Sequence, residues 1–381
     1  MPEYSVMTDL NDENSRSGSR RGDRSGPNRL ESDRTESNPT GSTELSDRTL
    51  SRRAALGGIA GATFAVGSTL GLAGCLGEDP QGGGNGGDRD PQGGGNGGGG
   101  DDRPTVFATM PAVWDFVRQV AGDHIEAIDL VPVGEHGHDW NPEPGTVGDL
   151  ESADGFVYLR DFSSWQDNAA DQLADDDDTV VIEASAGIDF FDSPAEDNDE
   201  HWWMDPVECQ TGVDNIADGL AEIDPDNAES YTENAAAFNE ELQELHEDFE
   251  AIVERAELNE LVVGTHDSFQ WWNRRYGLDI YSPVGTSPDD AASPGDVEEI
   301  EGLIEDFGIG HVLYDVGEPG QLAESLADET ETTVLPLSPV ETQIDGTPPI
   351  GGDLTMVSDW GYIDHFREIN LPSITTALRA D

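Results

Sequence analysis

Eight histidines are spread over a chain of 381 residues. Three of them, His138, His201 and His266, occupy one kind of position. His138 closes the run Pro132-Val133-Gly134-Glu135-His136-Gly137-His138-Asp139-Trp140-Asn141-Pro142, whose bracketing glycines and prolines make a turn-rich loop of fixed shape. An alternating apolar run at 125–131 leads into it and reads as a strand. His201 opens His201-Trp202-Trp203-Met204-Asp205-Pro206, after an acidic loop at 195–200. His266 follows Leu261-Val262-Val263-Gly264-Thr265, another strand. In parallel sheets, ligands bind in the crevice beyond the carboxyl ends of the strands, and imidazole nitrogen is a ready ligand for a transition metal. The first two histidines belong to one half of the chain and His266 to the other, so a site made from all three lies between two lobes. His124 precedes a strand, His311 sits at the opposite strand end and His365 lies on a terminal helix; those three read as solvated or locally hydrogen-bonded. His246 lies beside an apolar helical stripe and reads as an ordinary flank residue.

Composition narrows the setting. Asp and Glu number 81 against 18 Lys and Arg, a formal net charge of −63, and all 18 cations are arginine. Such a surface repels itself in dilute buffer, but a Debye length of about 3 Å at 1 M salt screens it, so the chain reads as adapted to molar salt. Without a basic face it is no nucleic-acid binder. With so many carboxylates, a paired Asp or Glu carries little catalytic information. The two cysteines, Cys75 and Cys209, supply no disulfide framework. Cys209 reads as a small buried apolar residue.

The elements that must position the histidines come late in the chain. Residues 1–50 are polar, with little to bury, and read as disordered. At 51–75 a pair of arginines (Arg52, Arg53), a Gly/Ala-rich weakly apolar run and Leu72-Ala73-Gly74-Cys75 resemble a twin-arginine export signal with a lipobox, Cys75 being the lipid anchor. Glycines dilute this run too far for a spanning helix of about 20 residues. Residues 76–103 repeat a Gly-rich segment and read as a flexible tether. From 104 onward, strands alternate with helices, which implies a largely parallel sheet covered on both faces. The expected fold is α/β: an N-terminal lobe over 104–223, one long linking helix over 224–258 and a C-terminal lobe over 259–381, with the metal site in the cleft between lobes. Asp224 and Pro225 are read as the start of the long helix, which runs through Glu257 for roughly 45 Å. A final helix spans 362–378.

The mature part resembles the metal-binding solute receptors of ABC importers, the zinc/manganese ZnuA/TroA-type family. Its first block, 132–142, is similar to a P-x-G-x-x-x-H-x-aromatic-x-P loop with His138 in the ligand position. His201-Trp202-Trp203-Met204-Asp205-Pro206 matches H-x-W-x-D-P, and Thr265-His266-Asp267-Ser268-Phe269 with Tyr276-Gly277-Leu278 resembles the third block. Further similarity runs through Ser282-Pro283-Val284-Gly285, Ser293-Pro294, Tyr362 and Asn370. The resemblance implies His138, His201 and His266 as metal ligands. Where family members often place an Asp in the second lobe, this chain has Ser338. Glu341, Asp345, Asp315, His136 or a water are the open candidates for the fourth position.

Three imidazoles favour zinc over manganese, which prefers more carboxylate oxygen. The resemblance therefore implies a monomeric extracellular receptor, tethered to the membrane at Cys75, that captures Zn²⁺ as its transported ligand and hands it to an ABC permease. Affinity should fall with pH through the histidine range. The other readings are a zinc hydrolase, since three His and a water are also catalytic, and a metal-binding adhesin or zinc store.

Overall fold

A computed structural model describes residues 103–381 apart from 139, 144, 175–177, 195, 289, 349 and 351–353. The expected signal, Cys75 and nearly all of the tether lie outside the described residues. Among those described, no helix is long and apolar enough to cross a membrane.

The first sheet contains β1 (Thr105–Ala108), β2 (Glu126–Asp129), β3 (Gly155–Tyr158) and β4 (Val180–Glu183) in the order β2-β1-β3-β4. Every pairing is parallel, with Val106 opposite Ala127 on one side and Gly155 on the other. Parallel neighbours need crossover connections, and the chain supplies α1 (Pro111–Ala121), α2 (Thr146–Leu150) and α3 (Ser164–Leu173). In α1, Val113, Phe116, Val117 and Val120 fall on one buried stripe, the spacing that sets a helix down on a sheet.

The second sheet repeats the plan. It contains β5 (Glu260–Val263), β6 (Asp279–Tyr281), β7 (His311–Asp315) and β8 (Thr333–Leu337), ordered β6-β5-β7-β8 and again all parallel. The crossovers are α6 (Gln270–Tyr276), α7 (Pro294–Phe307) and α8 (Gln321–Thr330). Ser293 and Asp296 form a reciprocal cap at the start of α7, and Gly308 ends it with φ 65°. Both lobes are thus α/β with parallel sheets, as the alternating pattern implies.

Three helical details differ from expectation. Pro206–Ile223 is an 18-residue helix, here α4, that the sequence reading left unassigned; Asp205 caps it by accepting from the Val207 N–H. Gly212 and Gly219 dilute its apolar pattern, yet both are places of close approach. A Cβ on Gly212 would come within 2.5 Å of the Trp202 ring. The long helix, α5 (Ala228–Arg255), starts three residues late because Asp224 Oδ2 is spent on Asn227 and Tyr231, at 2.6 and 2.9 Å, and Pro225–Asn227 winds as a 3₁₀ turn. Its 28 residues span about 42 Å. The last helix is three pieces: α9 (Tyr362–His365), a π turn at Phe366–Asn370, and α10 (Leu371–Ala377). Pro372 has no N–H for a regular α bond, and the wide turn accommodates it.

One apolar core runs unbroken from lobe to lobe, taking in Val106, Phe116, Trp202, Leu242, Phe249, Trp272 and Phe366. Helix α5 is its spine, packing on α1 and α4 at one end and α6, α9 and α10 at the other. Indole N–H groups stitch the lobes across the interface. Trp272 donates to Met204 O at 2.8 Å, Trp203 to Pro339 O at 2.8 Å and Trp271 to Asp199 O at 3.2 Å. The lobes are therefore held by shared packing, unlike lobes that swing on a thin hinge.

Candidate metal centre

Loops from the carboxyl ends of both sheets meet between the lobes. The loop after β2 carries His136 and His138, the one after β4 carries His201, and the one after β5 carries His266. Asp315 ends β7 with Glu318 just beyond, and Glu341 follows β8. The Nε2 atoms of His138 and His201 stand 3.2 Å apart. The His266 ring centroid is 5.5 Å from that of His138 and 6.0 Å from that of His201. Glu341 lies among them: Oε2 is 3.5 Å from His138 Nε2, and Oε1 is 3.7 Å from Nε2 of both His201 and His266. One donor atom from each of the four residues can be chosen so that all lie within 4.8 Å of one another.

Local structure sets each donor's aim. Asp199 Oδ1 accepts from both the backbone N–H and the ring Nδ1–H of His201, each at 3.0 Å. That hydrogen bond occupies Nδ1 and leaves His201 Nε2 as the nitrogen facing inward. Glu318 Oε1 does the same for His266, accepting from its backbone N–H at 3.2 Å and from Nδ1; Ser268 Oγ meets the opposite nitrogen, Nε2. The His138 ring rests on Phe162, centroids 4.4 Å apart. Gly137 ties this loop to the second lobe by donating its N–H to Glu341 O at 3.1 Å. A side chain there would crowd Met110 at 3.2 Å.

The approach to Glu341 is unusual. Val340 has φ 60°, a left-handed conformation that a β-branched residue adopts only when its surroundings impose it. Asn370, on the π turn, grips the Ser338 backbone at both N and O, at 2.8 and 2.9 Å. Ser338 Oγ pairs with His365 Nδ1 at 2.8 Å and accepts from the Val340 N–H. Ser338 thus shapes the turn instead of joining the imidazoles, and His365 is fully buried where a solvated or local role was expected.

Burial and charge work against each other here. His201, His266 and Glu341 are fully buried. Burial opposes the charge on Glu341, but the His138 and His266 imidazoles outweigh it and hold the carboxyl below its usual range. Burial also opposes protonation of His201, yet the Asp199 hydrogen bond and the nearby Glu200 carboxylate push it up to about 9. His266 is raised well above the ordinary value: burial is outweighed by Glu341 and Glu318. His138, for which burial dominates, is lowered. Neither Glu341 oxygen has a hydrogen-bond partner. A buried carboxylate left so is costly, and a cation bonded to it would remove that cost.

Of the open candidates for a fourth donor, Glu341 stands with the three imidazoles. His136 adjoins them, its Nε2 3.5 Å from Glu341 Oε2, but also lies 3.2 Å from Asp315 Oδ2, and these two form a neighbouring group with Glu318. Asp345 is exposed and accepts from the Ser358 N–H at 2.7 Å. Two residues escaped the sequence reading altogether. Asp199 lies in the acidic loop at 195–200, which was given no part in the site, but is buried and orients His201. Glu318 had no local signal, because its partner is 52 positions away.

Comparison with known proteins fits this geometry. Over 250 aligned residues the chain is 26% identical to the high-affinity zinc uptake system protein ZnuA of Bacillus subtilis, covering 61% of this chain and 78% of that one. It is 28% identical to the zinc-binding protein AdcA of Streptococcus pyogenes, over 62% of this chain but only 50% of AdcA, so it spans about half the length of that relative. Among solved structures, the laminin-binding protein Lmb of Streptococcus agalactiae, described as bifunctional with adhesin and metal transporting activity, superposes with a TM-score of 0.62 at 25% identity, covering 72% of this chain and 99% of Lmb. Residues 106–375 match the family described as ZnuA, zinc-uptake complex component A, periplasmic. With that match across most of the chain, the protein belongs to the ZnuA family of zinc-uptake components.

Proposed function

We propose that this chain is the extracellular solute receptor of an ABC importer and that it captures one Zn²⁺ through His138, His201 and His266 Nε2 and a Glu341 oxygen. The observation that carries this reading is Glu341, fully buried, without a hydrogen bond, and ringed by imidazole nitrogens at 3.5–3.7 Å. A set of three imidazole nitrogens and one carboxylate oxygen suits zinc, and imidazole weighs against manganese. Four protein donors also fill the shell. A catalytic zinc keeps a position open for water, so the arrangement favours carriage over hydrolysis. An adhesin role rests only on the likeness to Lmb.

Delivery to a permease is part of the proposal, as is tethering at Cys75 after twin-arginine export. The support is the signal-like segment at 51–75 and the family's place in zinc uptake. The acidic surface adds that the receptor works in molar salt. The test is metal analysis of protein refolded in molar KCl with zinc and then dialysed against zinc-free buffer. About one retained zinc per chain is expected, with most of it lost in His266→Ala; equal retention by that variant would refute the site.

A further inference from the structure

The proposed zinc site uses only one edge of the His266 ring. The other edge faces a second group of donors: His136, Asp315 and Glu318, which with His266 again place one donor atom each within 4.8 Å of one another. The two groups adjoin, since His136 Nε2 is also 3.5 Å from Glu341 Oε2. His136 Nε2 is 3.2 Å from Asp315 Oδ2. The other Asp315 oxygen, Oδ1, is occupied by the Gly317 N–H at 2.8 Å, so Oδ2 is the one on offer. Glu318 likewise spends Oε1 on His266 Nδ1 and has a second oxygen to give. His136 and Asp315 are buried, while the Glu318 side chain is 10% exposed.

Such a set, one imidazole and two carboxylates from loops of opposite lobes, is a chelating arrangement. Zn²⁺ is held by His nitrogen and Asp or Glu oxygen, and oxygen-rich sets also take harder divalent ions.

We propose that His136, Asp315 and Glu318 hold a second divalent cation beside the first, with the His266 imidazole standing between the two. This rests on the zinc-receptor reading for its neighbour. Three protein donors leave at least one position to water, so the second ion is bound more weakly and exchanges more readily than one enclosed by four.

The experiment is calorimetric titration of the full chain with zinc chloride in molar KCl, which screens the acidic surface. The wild type is expected to reach two zinc per chain in two separable phases. His136→Ala, and the closer replacement His136→Gln, should each lower the count from two to one by removing the weaker phase. Glu341→Gln should instead remove the tighter phase and leave the weaker one. A wild-type count of one with the tight phase intact overturns the second site alone. So does a weaker phase that survives both His136 variants, since it then belongs to surface carboxylates. A wild type that binds no zinc overturns the receptor reading and this inference together.

Discussion

Asp199 and His201 are joined twice by a single oxygen: Asp199 Oδ1 takes both the backbone N–H and the ring Nδ1–H of His201, each at 3.0 Å. The imidazole cannot turn without breaking one bond and straining the other. Outer partners of this kind orient ligands and raise their basicity, and losing one typically costs about 10–100-fold in metal affinity. Asp199→Ala should therefore weaken zinc binding by that order, read by competition with a chromophoric chelator. Affinity within twofold of wild type would mean that His201 is either held by other means or not a ligand.

Proton competition should be visible well above the usual histidine range. In the metal-free protein, Asp199 and Glu200 overcome the effect of burial and raise His201 to about 9, and His266 is raised as well. Zinc must displace those protons, so affinity rises with pH until about 9 and falls steadily below it. The sequence alone placed this fall near 6.5; the buried carboxylates move it upward. Calorimetry at pH 7.5 in buffers of different ionisation enthalpy should report net proton release. No release would contradict the assignment.

Without metal, the same raised pKa values bear on folding. A histidine at about 9 when folded and about 6.5 when unfolded contributes stability that is complete below pH 6.5 and is lost as pH climbs through 9. The apo protein in molar salt should thus lose stability between pH 7 and 9.5, and zinc-loaded protein should lose less. Thermal scans of both forms over that window decide it; parallel curves would contradict the account.

The lobes should resist separation. Trp272 is fully buried, meets the Phe249 ring at 54° with centroids 5.1 Å apart and donates across the interface to Met204 O. Trp272→Ala should destabilise the fold by about 3–5 kcal/mol, measured by denaturant unfolding in molar KCl. A loss below about 1 kcal/mol would mean that the shared core does not bind the lobes together.

Anchoring is tested at one residue. Cys75→Ser should release the receptor from the membrane fraction into the medium without changing its zinc content. Continued membrane association would point to another tether.

Much of this was legible because periodicity and position survive without coordinates. Short apolar runs separated by helical stretches marked strands in both sheets. His138, His201 and His266 could be grouped because each follows a strand whose carboxyl end, in a parallel sheet, faces the cleft. What stayed hidden depends on distant partners. Glu341 is four residues past β8, behind a Val340 backbone that no propensity predicts, and its exit is set by Asn370 across 32 positions. Helix α4 was missed because Gly212 and Gly219 blur its stripe, although each glycine makes room for a side chain of another element. Among so many acidic residues, Asp199 and Glu318 could be told from the solvated ones only by their burial and reach.

The most direct measurement is anomalous diffraction at the zinc edge from crystals grown with zinc in high salt. The strongest peak should sit between the lobes, about 2.0–2.2 Å from Nε2 of His138, His201 and His266 and from a Glu341 oxygen. A strongest peak on surface carboxylates, or one that leaves His266 or Glu341 unbonded, would contradict the claim that both halves of the chain close on one ion.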